Sequence, residues 1–475
     1  MAVLHGKNYG KPTLDLNFAG NKSLIDTTTG RNYVTFTRAQ SGNEATYVGS
    51  DGLIKYASAD EPRFDHDPET GESLGLLVEE SRTNAQLMSS DYSRRTRITI
   101  AMSSGVFTTG AATFTGYYGT YNCIISAVEF VSGSTYNVWL SNLDSYLDAM
   151  LTFNQGASSG TGSSVTKIVA HQTVATGVTI PSQSAAIGPD GATNSWIVAA
   201  ADAPIGGDSL GSTMSVFVKT GSSSIVRIQG YPGVPAWYAE FDLSTATVTQ
   251  NIGDAATAGI QRLSNGWFRI YRSIEGAGST TRFTAFPVGG NAYFWGAQCE
   301  EGSFPTSYIP TTTSAVTRAA DEASITGSNF SRWYNQSEGT VFANAICNGL
   351  SNGNVSFVGH LFDGTTNNYI DVFRYQPTGF SLVVVGGAVQ SGLISSVTRG
   401  SYHKSALAYK TNDFSLSVDG ASVITDNSGS LPSQSISILT LGNDSSNVRA
   451  LNGHISRLTY YPKRLPDIEL QQLTK

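Results

Sequence analysis

In the stretch FSLSVDG, Phe414, Leu416 and Val418 alternate with Ser415, Ser417 and Asp419. A two-residue period places apolar side chains on one face of a strand, and Asp419-Gly420 then supplies a turn into ASVIT. In AYFWGAQCEE, Tyr293, Trp295, Ala297 and Cys299 fall on one face and Phe294, Gly296, Gln298 and Glu300 on the other. Both faces read as partly buried, as in a sandwich of two packed sheets. A single segment carries helical spacing: Pro466 and Asp467 open DIELQQL and set Leu470 and Leu473 on one side. The chain is therefore expected to be all-β and built from β-sandwich domains. The last domain is expected to end in a short helix that plugs its edge.

Composition agrees with that class. Charged residues make up 14% of the 475, with 50 glycines, against about 25% charge in average domains. Thr and Val suit the pleat, and Gly, Asn and Asp suit tight turns. The net charge of −7 includes no basic run, so nucleic acid is not an expected partner. Cys123, Cys299 and Cys347 lie far apart, as free and mostly buried thiols would. The N-terminus has no signal-like apolar run, and no stretch approaches the ~20 apolar residues of a membrane span. Cytoplasmic synthesis without membrane insertion is the expectation.

Near the N-terminus two hairpins are expected, around Gly49–Gly52 and around Asp67–Gly71, where Pro68 presets φ. The second holds Asp65, His66, Asp67 and Glu69. Alternation sets His66 opposite Asp65 and Asp67, and Asp67 serves as a turn initiator, so this cluster is not read as a metal site.

The string RFDHDPETGESLGLLVEESRTN, Arg63 to Asn84, resembles a segment of tail and other virion proteins of tailed bacteriophages, where it precedes a carbohydrate-binding-module-like jelly roll. Further pieces follow in the same order: SSDYS at Ser89–Ser93, PDGATN at Pro189–Asn194, SVFVKTG at Ser215–Gly221 and FDLSTATV at Phe241–Val248. LSNGWFRI at Leu263–Ile270 and YFWGAQCEEGSFPTSYIPTTTSAVTRAAD at Tyr293–Asp321 complete the series. The chain departs from the pattern in about ninety-five residues between the DYS-like and PDG-like pieces, which read as an inserted or duplicated β subdomain. EGTVFANA at Glu338–Ala345, FSLSVDGASV, and the run from ILTLGND to the C-terminus resemble a concanavalin A-like, laminin-G-type sandwich. The expected organisation is an anchor over 1–85, a jelly roll over 86–323 with its insertion at about 94–188, and a concanavalin A-like domain over 324–475.

Both resembled folds commonly bind sugars, with aromatic rings beside hydrogen-bonding side chains. The candidates are Tyr231, Trp237 and Tyr238 in QGYPGVPAWYAE, and Trp333 and Tyr334 in FSRWYNQ. Packing is the commoner role of such rings, and Trp267 and Trp295 are assigned to the core. Laminin-G-type sandwiches often bind calcium, for which Asp363, Asn443 and Asp444 are the available donors, although a solvated turn is the simpler role. No GxSxG or HExxH motif occurs. Glu79–Glu80 and Glu300–Glu301 are adjacent pairs whose members point to opposite faces, so neither pair suits glycosidic cleavage. The expectation is a non-enzymatic virion protein, a tail-fibre or baseplate component binding host surface polysaccharide. It would attach to other virion proteins through its N-terminal region, and the resemblance implies a homotrimer. The alternatives are a capsid decoration, head-fibre or tail structural role and, third, a polysaccharide hydrolase or lyase.

Overall fold

The computed structural model describes residues 10–86, 96–104, 110–116, 119–141, 152–155, 158–166, 189–190, 197–200, 210–231, 237–253, 256–274, 281–311, 314–350, 355–376, 379–433, 435–446 and 448–475. Ser89–Ser93 and most of PDGATN lie outside them. The chain is all-β, with multiple antiparallel sheets among the described residues. It divides into a discontinuous unit, Met1–Ser81 with Arg318–Lys475, and an inserted unit, Arg82–Thr317.

The discontinuous unit is a β-sandwich. Its seven-stranded sheet runs in the order Thr35–Thr37, Glu322–Thr326, Ile438–Leu441, Ser356–Phe362, Tyr369–Tyr375, Gly379–Val385, Ala388–Ser395. Its eight-stranded sheet runs Ile424–Asp426, Asp413–Val418, Tyr402–Lys410, Glu338–Cys347, Gly453–Tyr461, Ser73–Val78, Phe64–His66, and Leu14–Leu16 also pairs with Gly453–Tyr461. One apolar core built from both sheets includes Leu14, Leu76, Val341, Ile370, Leu407 and Leu458.

The expected separate region over 1–85 is thus a set of sheet members for the C-terminal sandwich. Leu14–Leu16 lies in register with Leu458–Tyr460, and Leu76–Val78 with Gly453–Ile455. The strand Phe64–His66 ends its sheet, yet its outward side is occupied: Asp65 accepts from the Val48 amide at 2.6 Å and His66 Nδ1 meets the Val48 carbonyl at 3.0 Å. Both side chains therefore reach the same residue of the ribbon strand Ala45–Val48. A register shift between Asp65 and His66 breaks the simple alternation that the sequence implied.

Five charged side chains are sealed into this unit. Arg38 reaches Asp321 at 2.9 Å, Arg63 reaches Glu79 at 2.8 Å and also Asp321, and Arg318 reaches Glu79 at 2.9 Å. Their side chains are at most 7% exposed. Burial pulls the Arg63 pKa down, but the Asp321 and Glu79 carboxylates more than offset it and leave it raised. Carbonyls of Thr46, Ser58, Glu61 and Glu80 take further guanidinium protons, which is what makes such burial tolerable.

The C-terminal helix, Asp467–Thr474, buries Leu470 with Ala406, Ala408 and Leu465. It covers the outer face of strands Tyr402–Lys410 and Asp413–Val418 rather than an edge. For that reason Ser415 and Ser417 are as buried as Phe414 and Leu416, and Ser417 Oγ meets Thr474 Oγ1 at 3.0 Å.

In the inserted unit, strands between 96 and 166 close a six-stranded barrel, within the expected insertion. Two five-stranded sheets form the rest: Ile197–Ala200, Asn291–Glu300, Thr213–Thr220, Trp267–Ile274, Ala256–Arg262 in one, and Leu210–Gly211, Thr281–Pro287, Ile225–Tyr231, Trp237–Asp242, Thr247–Ile252 in the other. Their facing sides bury Val216, Val226, Phe241, Ile270, Phe283 and Phe294.

Strand Asn291–Glu300 does not keep one alternation. A bulge at Gly296, φ +62°, shifts its register against Thr213–Thr220. Phe294, Ala297 and Cys299 then belong to the inter-sheet core, while Trp295 packs on Phe217 and Tyr308 at 5.3 and 4.6 Å. Trp267 and Trp295 are fully buried, as expected. Cys299 and Cys347 are buried thiols outside any disulfide, and burial pushes both up to about 12. The side chain of Cys123 lies outside the described residues.

Candidate functional site

The second sheet of the inserted unit has one side in the core and one side out. Val226, Ile228, Ala239, Phe241, Phe283 and Ala285 point inward, so the alternate positions Arg227, Gln229, Tyr238, Glu240 and Phe286 point outward. Cross-strand register places Arg227 opposite both Glu240 and Phe286, Gln229 opposite Tyr238, and Glu240 opposite Gln250. This face gathers two aromatic rings, two amides and an ion pair.

The geometry is specific. Arg227 Nε donates to Glu240 Oε1 at 3.0 Å, and Nη2 donates to the same oxygen. The guanidinium carbon stands 4.1 Å from the Tyr238 ring centroid and 5.8 Å from that of Phe286, a cation–π arrangement that fixes the ring. The Tyr238 hydroxyl donates to Gln250 Oε1 at 2.7 Å. Gln250 is exposed, and Tyr238 and Gln229 are half-buried. An immobilised ring edged by amides is suited to a polyol, whose apolar C–H face covers a ring while its hydroxyls bond to amides.

Of the sequence candidates, Tyr238 belongs to this face. The backbones of Tyr231 and Trp237 are in the same sheet, but their side chains lie outside the described residues. Arg227, Glu240 and Gln250 were missed. The signal for the first two was present in the alternation of IVRIQ and YAEF.

Trp333 and Tyr334 are placed elsewhere. Trp333 is 3% exposed and stands with Phe330 and Tyr460 at 4.6 and 4.9 Å, and Tyr334 packs on the same core. Burial pushes the Tyr334 hydroxyl pKa upward. A ring enclosed in this way offers no face to a sugar.

The calcium donors are not assembled. Phe362 lies opposite Ile438 and Gly359 opposite Leu441, so Asp363 and the pair Asn443–Asp444 follow opposite ends of two adjacent strands. Asp363 takes hydrogen bonds from Thr365 N and Asn368 Nδ2, each at 2.8 Å. Asp444 takes them from Ser446 N and Val448 N and faces Arg449 at 3.6 Å. Each acid closes its own turn. Among the described residues no group of three or more His, Cys, Asp or Glu is placed to hold a metal ion, so a calcium site does not fit these donors.

Glu79 sits in the buried ion network. Glu300 is 1% exposed and accepts from Thr306 N at 3.0 Å and Thr306 Oγ1 at 2.7 Å. Gln298 accepts from Ile309 N at 2.7 Å, and Asn84 donates to the Ile309 carbonyl at 2.8 Å. The WGAQCEEGSFPTSYIP string is therefore a strand and its strap. Three histidines are paired with aspartates, His360–Asp371 at 2.7 Å, His454–Asp65 at 2.8 Å and His403–Asp419. His403 Nε2 meets the Thr398 carbonyl at 2.8 Å, and His360 is enclosed by Phe357, Phe362 and Tyr369. Among the described residues no serine, threonine or cysteine side chain hydrogen-bonds these imidazoles, so none forms a nucleophile–base pair.

No family model and no curated protein matches the chain. Among solved structures, it is similar to domains LG4–5 of the mouse laminin α1 chain, with 10% identity and a TM-score of 0.22 over 58% of this chain and 90% of that one. A Trypanosoma rangeli sialidase bound to 2,3-difluorosialic acid matches with 13% identity and a TM-score of 0.25, over 74% of this chain and 62% of that one. A xylan β-1,4-xylosidase from Bacillus halodurans matches with 8% identity and a TM-score of 0.18, over 90% and 96%. Likeness at these scores carries no argument about function.

Proposed function

We propose that the chain is a non-enzymatic structural protein of a tailed-bacteriophage particle that binds host surface polysaccharide through the outer face of its inserted unit. The observation that carries the sugar reading is the Tyr238 ring, fixed by Arg227 and edged by Gln250 and Gln229. The particle assignment rests on the resemblance of the Arg63–Asn84 and Tyr293–Asp321 strings to virion proteins. Within those strings Arg63, Glu79, Arg318 and Asp321 form the buried ion network, and Gln298 and Glu300 brace the strap that follows their strand.

One shallow face of this kind corresponds to millimolar affinity, about −4 kcal/mol, and linked copies raise it by roughly 10² to 10⁴. A homotrimer would supply those copies. The test is binding of labelled full-length protein to intact bacterial cells before and after their surface polysaccharide is stripped. Saturable binding that disappears with the polysaccharide, and falls at least about tenfold in Tyr238→Ala, supports the reading. Binding indifferent to both changes sinks it and favours a particle-building or decorating role.

A further inference from the structure

We infer that the polysaccharide taken by this face is uncharged, a neutral hexose polymer rather than one carrying uronic or sialic acids. The inference rests on the carbohydrate reading and narrows it. Among the described side chains of the face, Arg227 is the cation, and an acidic sugar would need it. Its Nε and Nη2 are already committed to Glu240, and its flat side to Tyr238.

A ligand carboxylate could reach that guanidinium only by displacing Glu240, whose side chain is 11% exposed. Displacement would strand a nearly buried carboxylate without its partner, and stripping one partner from a buried pair is strongly unfavourable. Left in place, Glu240 repels a second carboxylate. The strand Trp237–Asp242 adds Asp242, in register with Ile225, a second acid on the side of the sheet opposite Phe241.

The groups with capacity to spare are uncharged. Because Gln250 Oε1 accepts the Tyr238 proton, the Gln250 amide nitrogen still has donors and the phenol oxygen still accepts. A sugar hydroxyl both donates and accepts, and it can use the two at once. Recognition by neutral hydrogen bonds and ring contact changes little with ionic strength, whereas recognition of a carboxylate by an exposed arginine weakens as salt shortens the screening length to about 3 Å at 1 M.

The experiment presents full-length protein to immobilised neutral glucans, galactans and mannans beside uronate- and sialate-containing polymers, at low and high sodium chloride. Glu240→Gln, Tyr238→Ala and Gln250→Ala are compared with the parent, with circular dichroism confirming that each is folded. Expected are binding to a neutral polymer that holds its affinity across salt, a loss of at least about tenfold in Tyr238→Ala and Gln250→Ala, and a gain of acidic-polymer binding in Glu240→Gln as Arg227 is released. A parent that binds only acidic polymers, with affinity collapsing in salt, overturns this inference and leaves the carbohydrate reading standing. No gain of acidic binding in Glu240→Gln also overturns it, because Glu240 would not be what excludes such ligands. A parent that binds no polysaccharide overturns both.

Discussion

Asp321 is the residue on which the buried charges of the discontinuous unit converge. It pairs with Arg38 and Arg63, accepts from Glu79 N at 2.9 Å and donates its own amide to the Glu79 carbonyl at 3.0 Å. Asp321→Asn keeps the shape but leaves two buried guanidiniums short of a counter-charge, and should cost about 3–5 kcal/mol. Hydrogen exchange of strand Gly453–Tyr461 under increasing urea would report it for this unit alone, and an unchanged exchange rate would show that the network is dispensable. None of these pairings was legible as a contact in the sequence, since Arg38 and Asp321 are 283 residues apart. The strings that hold Arg63, Glu79 and Asp321 could be recognised as a resemblance, but Arg38 lies in none of them and no local period relates the four.

Asp15 makes a second, titratable tie. Burial would raise its pKa, but hydrogen bonds from Arg457, Thr27 and Thr459 outweigh it and leave the carboxyl below its ordinary value of 3.8. A depressed carboxyl stabilises the fold fully above its unfolded pKa, and that stability is lost as pH falls through the folded value. Asp15→Asn should therefore be less stable than the parent at pH about 7, with the gap closing as the solution is acidified below about pH 4. Urea midpoints at several pH values would check this, and a gap that stays constant with pH would refute it.

At the scale of elements, strand periodicity was the most legible signal and bulges the least. Phe414, Leu416 and Val418 face the core as their spacing implied. The burial of Ser415 and Ser417 could not be foreseen, because it depends on where the C-terminal helix lands. In Asn291–Glu300 the alternation was read straight through Gly296, where the chain inserts an extra residue. A Cβ at Gly296 would stand 2.8 Å from Phe217 Cδ2, on a backbone with φ +62°. Gly296→Ala should cost about 1–2 kcal/mol from the backbone alone, seen as faster exchange in Thr213–Thr220, while Gly133→Ala in a spacious turn serves as the control for positive φ without crowding. The candidate rings divided on the same ground. Tyr238 sits on a strand whose opposite face is core, whereas Trp333 and Tyr334 follow a short helical turn, Gly327–Ser331, and pack inward on its Phe330. The polar letters around FSRWYNQ gave no sign of that turn.

For the whole molecule, the consequential feature is that the sandwich is made from both ends of the chain. Residues 318–475 supply most of its strands, but Leu14–Leu16, Thr35–Thr37, Phe64–His66 and Ser73–Val78 complete both sheets, and Leu14, Leu16, Phe18, Leu76 and Val78 lie in its core. A sequence boundary at 324 follows the family likeness but cuts through a hydrophobic core, and each large apolar side chain withdrawn from it forfeits about 1.5–3 kcal/mol. Where the inserted unit leaves and returns, Ser81 Oγ donates to the Arg318 carbonyl at 3.1 Å, so the two passages are already adjacent. A chain in which residues 82–317 are replaced by a few glycines and serines should therefore fold, because closing so short a loop adds little entropy. Residues 318–475 alone should not, and adding a separate 10–81 peptide should restore protected amides in Gly453–Tyr461. Dispersed amide resonances from 318–475 by itself would refute this assignment of the N-terminal residues, and return them to the role of a detachable arm.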